Sequence, residues 1–347
     1  MPDRSIPVGK LPAEVLEALL GQLGPLPPAV LVGPQVGEDA CVIDLGVDAL
    51  VATSDPITFT GSEVGRAAVI VNANDIAVMG ARPRWFLATV LLPEGTFEYE
   101  VRSLFDEMAR ALDQVGAHLV GGHTEVTSAV RWPVIVGHML GVAVGGRVIT
   151  TAGVSPGQAI VQIGPVPVEG AAILARLASD TAAGVGPPIL RAAAAATDDP
   201  GLSVVDAALE AADLGATAMH DLTEGGLAGG LWELADAARV AVTVDRDAVA
   251  WFGPGVEMCR ALGADPWATL ASGSLLAAFS QADAAQAVDR LRLNGQQASV
   301  IGMARSGLGV YDRAGRLVER PSRDEVARLL MAAQVPVPPE DESRLPD

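Results

Sequence analysis

Apolar residues recur at helical spacing in some stretches of this chain and gather into short runs in others. Between residues 10 and 23, Leu11, Val15, Leu19 and Leu23 fall four apart, which predicts one apolar stripe on a short amphipathic helix. Pro12 suits an early helical position, and Gly24-Pro25 stops the helix before a proline-rich connector that runs to Pro34. Residues 63–79 predict a helix that is apolar almost all round, with Gly80 just past its end and Pro83 blocking continuation. Residues 98–115 are more clearly periodic: Val101, Leu104, Phe105, Met108, Leu112 and Val115 keep one face, and Gly116 ends it. Further helices are predicted at 168–180, 203–214 and 282–292, and within 220–238. Short apolar runs predict strands at 40–45, 50–53, 86–92, 117–122, 132–144, 159–164, 274–280 and 298–304.

Strands and helices in this mixture predict an α/β chain. Its 347 residues exceed what one core usually supports. A turn at Gly153–Gly157 precedes a fresh strand, so domains at 1–153 and 154–320 are expected. A short helix and a proline-rich, acidic, disordered tail are expected in 321–347.

Composition narrows the function. Half the residues are hydrophobic and only 4% are aromatic, which favours closely packed α/β layers. The net charge of −19 repels nucleic-acid phosphates, and no basic stripe offsets it, so no nucleic-acid partner is expected. An acidic surface does not exclude ATP, because divalent cations bridge carboxylates to phosphate oxygens. Lys10 is the only lysine, and no G-x-x-x-x-G-K-[ST] loop occurs, which excludes a Walker-type site. Two cysteines, Cys41 and Cys259, are too few for a disulfide framework or a four-cysteine zinc site. No run reaches the ~18 apolar residues of a membrane helix, and no signal-peptide pattern opens the chain. A cytoplasmic location and no membrane partner are expected.

The candidate chemistry is acidic. Glu38-Asp39, Asp55, Asp75, Glu125 and Asp221 stand in short segments of an otherwise apolar chain. Asp39 and Asp221, taken singly, also fit ordinary turn or cap roles. Asp75 fits these less well, since it interrupts an apolar helix where no cap is needed. Asn72 lies three residues before it, on the same face. A carboxylate so placed is costly unless paired, hydrogen-bonded or metal-bound. Mg²⁺ takes hard oxygen ligands, which Asp39, Asp55 and Asp75 could supply. Asp221 and Thr223 precede Glu224-Gly225-Gly226, where a helix N-terminus would suit phosphate. His123 is open to a ligand, proton-carrier or structural role. His138 reads as core, and His118 and His220 as weak candidates.

Together, the segments GEDACVI, TSDPIT, EVGRAAVIVNANDIAVMGARPRWF, LVGGHTEV, HDLTEGGLAGGLWELA, GVEMCRALGADPWATLASGSLLAAF and a late IGMA resemble the aminoimidazole-ribonucleotide synthase superfamily over residues 10–305. That superfamily also holds HypE-type hydrogenase maturation factors, thiamine-monophosphate kinase and selenophosphate synthetase. The resemblance implies a PurM-like two-domain fold. Two N-terminal domains would pair into a β-barrel homodimer, and the C-terminal domain would be an α+β sandwich. ATP and Mg²⁺ are the implied cofactors, with Asp39, Asp55, Asp75 and Asp221 at metal or phosphate positions. Asn72, Asn74, Gly121, Gly122, Thr223 and Lys10 are the implied nucleotide contacts, although Lys10 equally suits a solvated surface. Asp75, His123 and Glu125 are the expected catalytic residues. The implied reaction is phosphoryl activation of an amide or phosphate oxygen on an unidentified acceptor. A non-catalytic nucleotide-binding maturation partner and a kinase resembling thiamine-monophosphate kinase are the alternatives.

The HypE type is the nearest branch, with three departures. Its terminal Pro-Arg-x-Cys is replaced by Arg344-Leu345-Pro346-Asp347, and no cysteine follows Cys259. Its Gly-Asp-Thr-Lys becomes Gly122-His123-Thr124-Glu125, and its Gly-Asp-His-Gly loop is absent from 164–170. The expectation is therefore a kept ATP end and an altered acceptor end.

Overall fold

The computed structural model describes residues 13–22, 25–58, 63–143, 146–181 and 184–334. Lys10, the start of the first helix, its Gly24 stop and the tail beyond residue 334 lie outside the described residues. The first helix is described as α1 (Ala13–Leu20).

The first half builds one six-stranded sheet from β1 (Val30–Val32), β2 (Cys41–Asp44), β3 (Ala49–Ile57), β4 (Arg82–Leu92), β5 (His118–Val126) and β6 (Val134–Ala143). The order is β1-β2-β3-β6-β4-β5, antiparallel except for the parallel β4–β5 pair. Two helices accompany it, α2 (Val64–Val78) and α3 (Glu98–Val115). Glu100 accepts the Phe97 N–H at 2.7 Å to cap α3, and its acidic first turn suits the helix dipole. α2 is buried along nearly its whole length, because the sheet lies under one side and α3 over another. Gly65 permits that closeness: a Cβ there would sit 2.4 Å from the Leu104 carbonyl oxygen of α3.

The second half holds another six-stranded sheet: β7 (Ala159–Ile163), β8 (Ala218–Asp221), β9 (Ala241–Val244), β10 (Leu275–Phe279), β11 (Ala298–Arg305) and β12 (Gly309–Asp312). Its order is β12-β9-β11-β7-β10-β8, with only β12–β9 parallel. Its helices are α4 (Glu169–Thr181), α5 (Pro187–Ala194), α6 (Val205–Asp213), α7 (Gly226–Ala238), α8 (Gly253–Leu262), α9 (Ala284–Leu293) and α10 (Glu325–Gln334). The architecture is mixed α/β with two mixed sheets.

α2 joins the halves. Asn74 donates to the Leu202 carbonyl and accepts the Val204 N–H, both at 2.9 Å. Arg66 reaches Asp198 at 2.6 Å and the Thr197 carbonyl at 2.8 Å. Among the described residues, no helix is long and apolar enough to cross a membrane.

Several elements differ from the sequence expectation. The run at 50–53 continues to Ile57, so Asp55 lies inside β3 rather than after it. The run at 117–122 continues to Val126, so His123 and Glu125 lie within an edge strand, not at its end. β1 forms inside the proline-rich connector, and β8 ends at Asp221 where only a helical segment was expected. These strands are three and four residues long, too short to show a period. Pairing with a neighbour, not local pattern, makes them strands.

Candidate functional site

The polar centre of the molecule forms where α2 crosses the end of β3. Thr53 of β3 donates its hydroxyl to Asp75 Oδ2 at 2.7 Å, with the Asp39 carbonyl oxygen 3.1 Å away. Asp55, two residues on, shares Thr53's face of the strand. Asn72 holds it there: Oδ1 accepts the Asp55 N–H at 2.9 Å, and Nδ2 donates to the Ala68 carbonyl at 2.9 Å and the Asp55 carbonyl at 3.3 Å. Gly137 of β6 leaves room for this amide, since a Cβ there would lie 2.4 Å from Asn72 Nδ2. Asp221 arrives from the second half at the end of β8, buried.

Four carboxylates thus converge from four separate segments. Burial pushes the Asp75 pKa well above the usual carboxylate range, and the charges of Asp221, Asp55 and Asp39 push it further against the Thr53 bond. Buried like charges oppose folding unless a cation or protons neutralise them.

His220, immediately before Asp221, contributes a second feature. Its Nδ1 lies 2.8 Å from Asp39 Oδ1 and 3.1 Å from Asp39 Oδ2, and its Nε2 lies 2.9 Å from Glu233 Oε2 on α7. Each ring nitrogen thus has a carboxylate oxygen within hydrogen-bond reach, an arrangement that favours N–H groups on both. Burial works against a charge on the ring, but Asp39 and Glu233 outweigh it and hold the His220 pKa well above its ordinary value. Glu38 pins the same turn across the halves, accepting the Ala152 N–H at 3.1 Å and the Thr151 N–H at 3.3 Å.

Ligand atoms of Asp39, His220 and Asp221 lie within 4.8 Å of one another, a spacing that could hold a metal ion. The imidazole is a poor ligand there, because both nitrogens are committed. What the cluster offers is carboxylate oxygen, the donor set of Mg²⁺ or Mn²⁺ rather than Zn²⁺.

Family models place this arrangement. The AIR synthase related protein N-terminal domain matches residues 37–143, and its C-terminal domain matches residues 155–311. The chain belongs to the AIR synthase related proteins. Carbamoyl dehydratase HypE of Rhodobacter capsulatus is 31% identical over 292 residues, covering 81% of this chain and 80% of that protein. HypE solved in complex with ATP superposes with a TM-score of 0.68 at 23% identity, covering 90% of this chain and 91% of the other. AaThiL complexed with AMPPCP and TMP gives a TM-score of 0.68 at 19% identity, covering 88% and 93%.

In this AIR synthase related chain, the structure gathers Asp39, Asp55, Asp75 and Asp221, with Asn72 as the support of Asp55. Asn74, His123 and Glu125 are engaged elsewhere. Both ends of the Asn74 amide are taken by the loop at 202–204, so its bonds join the two halves rather than reach the carboxylates. Gly122 has φ 144°, and a Cβ there would lie 2.1 Å from the Ala88 carbonyl oxygen, so packing within the sheet already demands glycine. Gly121 sits beside it on the exposed edge strand. Thr223 accepts the Ala271 N–H through its carbonyl at 3.3 Å, bringing its loop against residues 269–274.

His123 and Glu125 contact each other at 3.2 Å and are both exposed. Asp55, Gly137, Ala88 and Gly122 form one cross-strand row, and that row faces α2. His123 pairs with Thr89 in the next row, and Glu125 with Leu91 two positions on. Both therefore point to the opposite face of the sheet, away from the carboxylates of their own chain.

Thr53, Glu233 and Thr151 are residues of this centre that the sequence pattern does not single out, and His220 is one that it marks only weakly. No spacing links His220 to Glu233 or Asp39. The adjacency of His220 to Asp221 was the sole available signal.

Proposed function

We propose that this chain binds Mg²⁺ and ATP at the Asp39–Asp55–Asp75–Asp221 cluster and transfers a phosphoryl group to an amide or phosphate oxygen of a small or protein-borne acceptor. The carrying observation is Asp75, a carboxylate buried in an apolar helix and surrounded by three others. Such a group fits a site completed by a hard divalent cation. Asp39, Asp55, Asp75 and Asp221 would hold the cation, which when bound would neutralise phosphate charge. Asn72 keeps Asp55 in place, and Thr53 orients Asp75. The ATP complex of HypE and the AMPPCP complex of AaThiL support a nucleotide at this fold.

In this reading the acceptor end takes in the second-half loops at 164–170, 223–226 and 269–274, which meet one another. Gly170 donates to the Leu270 carbonyl at 2.9 Å, alongside the Thr223–Ala271 bond. Glu169 stands there, its pKa raised by burial against a hydrogen bond from Ser272, with Glu224 nearby. A homodimer completes this reading: the face of the first sheet opposite α2 carries half-buried Leu50, Leu87, Leu91, Val136 and Leu140 beside the exposed β5 edge, a surface suited to a second copy. A non-catalytic nucleotide-binding partner is the second reading, favoured by the separation of His123 and Glu125 from the carboxylates.

Calorimetric titration of ATP with and without Mg²⁺ tests the proposal. Micromolar, Mg²⁺-dependent binding is expected, and it justifies screening acceptors for ADP release. No binding in either condition would overturn it. Binding without turnover on any acceptor would favour the second reading.

A further inference from the structure

We propose that His220 is a positioning residue that aims the Asp39 carboxylate into the cluster and, being tied at both nitrogens, keeps the site selective for oxygen-liganded cations over Zn²⁺. The inference rests on the cluster being a cation site.

The geometry carries it. His220 lies within β8, opposite Leu276 of β10, so its backbone is fixed by the sheet. Its ring is buried and spans from Asp39 to Glu233. α7 can approach because of Gly230: a Cβ there would meet Leu222 Cδ2 at 2.2 Å and His220 Cδ2 at 3.7 Å. Both Asp39 oxygens are engaged by Nδ1, and Thr151 Oγ1 lies 3.4 Å from Oδ2. The carboxylate thus has one allowed orientation, and its remaining lone pairs are those left for a cation. In common metal centres a histidine ligates the metal and a carboxylate orients the histidine. Here the roles are exchanged: the histidine orients the carboxylate, both of whose oxygens lie within reach of Nδ1.

Outer residues of this kind typically change metal affinity 10–100-fold when removed. The test is Mn²⁺ binding in the presence of a non-hydrolysable ATP analogue, measured by calorimetry and by electron paramagnetic resonance on the full chain. His220→Ala is expected to weaken Mn²⁺ about 10–100-fold. His220→Gln, which keeps one donor toward Asp39, is expected to recover part of that loss. Glu233→Leu, which releases Nε2, is expected to raise Zn²⁺ affinity relative to Mn²⁺. A purely structural histidine would lower the melting temperature of all three variants without moving the Zn²⁺/Mn²⁺ preference.

Unchanged Mn²⁺ affinity in His220→Ala would overturn the proposal. So would strong ¹⁴N coupling to Mn²⁺ in the unmodified chain, because the ring would then be a ligand. If the unmodified chain bound neither Mn²⁺ nor the nucleotide, the cation-site reading itself would fail, and the proposal with it.

Discussion

Asp75→Asn is the most informative single change, because it pulls stability and binding in opposite directions. The substitution keeps the side-chain shape, and the new amide oxygen can still accept the Thr53 hydroxyl now 2.7 Å from Asp75 Oδ2. What it removes is one of four converging negative charges. Two like charges 4 Å apart repel by about 4 kcal/mol at an effective dielectric of about 20. Asp75 feels the charges of three neighbours, Asp221, Asp55 and Asp39, each raising its pKa. Without a cation the cluster relieves most of that repulsion by taking up protons, as the raised pKa of Asp75 indicates. The residual penalty, on the order of 1–3 kcal/mol, is the stabilisation expected of the variant in chelator. It corresponds to a rise of roughly 1–4 °C in melting temperature for a chain of 347 residues. Mg²⁺ with ATP at a hundred times Kd should stabilise the unmodified chain by about 2.7 kcal/mol, and the variant hardly at all. Thermal denaturation in chelator and in Mg²⁺ with ATP reads both effects. A variant less stable in chelator would show that Asp75 serves the fold rather than a cation. A variant that keeps the full ligand-induced rise would remove Asp75 from the site.

Two further outcomes follow from the geometry. Asn74→Ala strips the partners from the Leu202 carbonyl and the Val204 N–H, at an expected cost of about 2–4 kcal/mol in denaturant unfolding. Nucleotide affinity should change little, because both ends of the amide bond the segment at 202–204 and not the cluster; a large affinity loss with little destabilisation would return Asn74 to the nucleotide, as the resemblance implies. Burial pushes the Asp324 pKa up to about 7 from its ordinary 3.8, against N–H bonds from Gly225 and Val326 at 2.8 Å each. A carboxyl raised in the folded state binds its proton more tightly there than in the unfolded chain. Its contribution is therefore complete below about pH 4 and lost as pH rises through about 7, up to about 4 kcal/mol. Asp324→Asn should flatten that part of the stability–pH curve, while Asp75, Glu38 and Glu169, also raised, keep their share. An unaltered slope would refute the assignment.

Local chemistry determined much of this protein. The unbroken apolar run of α2, its stop at Gly80 and the periodic face of α3 are all legible as sequence, because a helix writes its burial into a period. The oddity of Asp75 was legible too, since a carboxylate amid Ala, Val and Ile asks for a partner on any fold. Tertiary structure alone decided which partners it has. Asp39, Asp55 and Asp221 are brought to it by strand pairing and by the docking of the second half onto α2, contacts between residues 20 to 146 positions apart that no local pattern encodes. The same holds for His220, which local sequence presents as an ordinary residue before an aspartate and the fold turns into a bridge between Asp39 and Glu233. His123 shows the converse. Its motif suggested membership of the site, but strand register sets which face a side chain takes, and one residue of register separates the row of Asp55 from the row of His123.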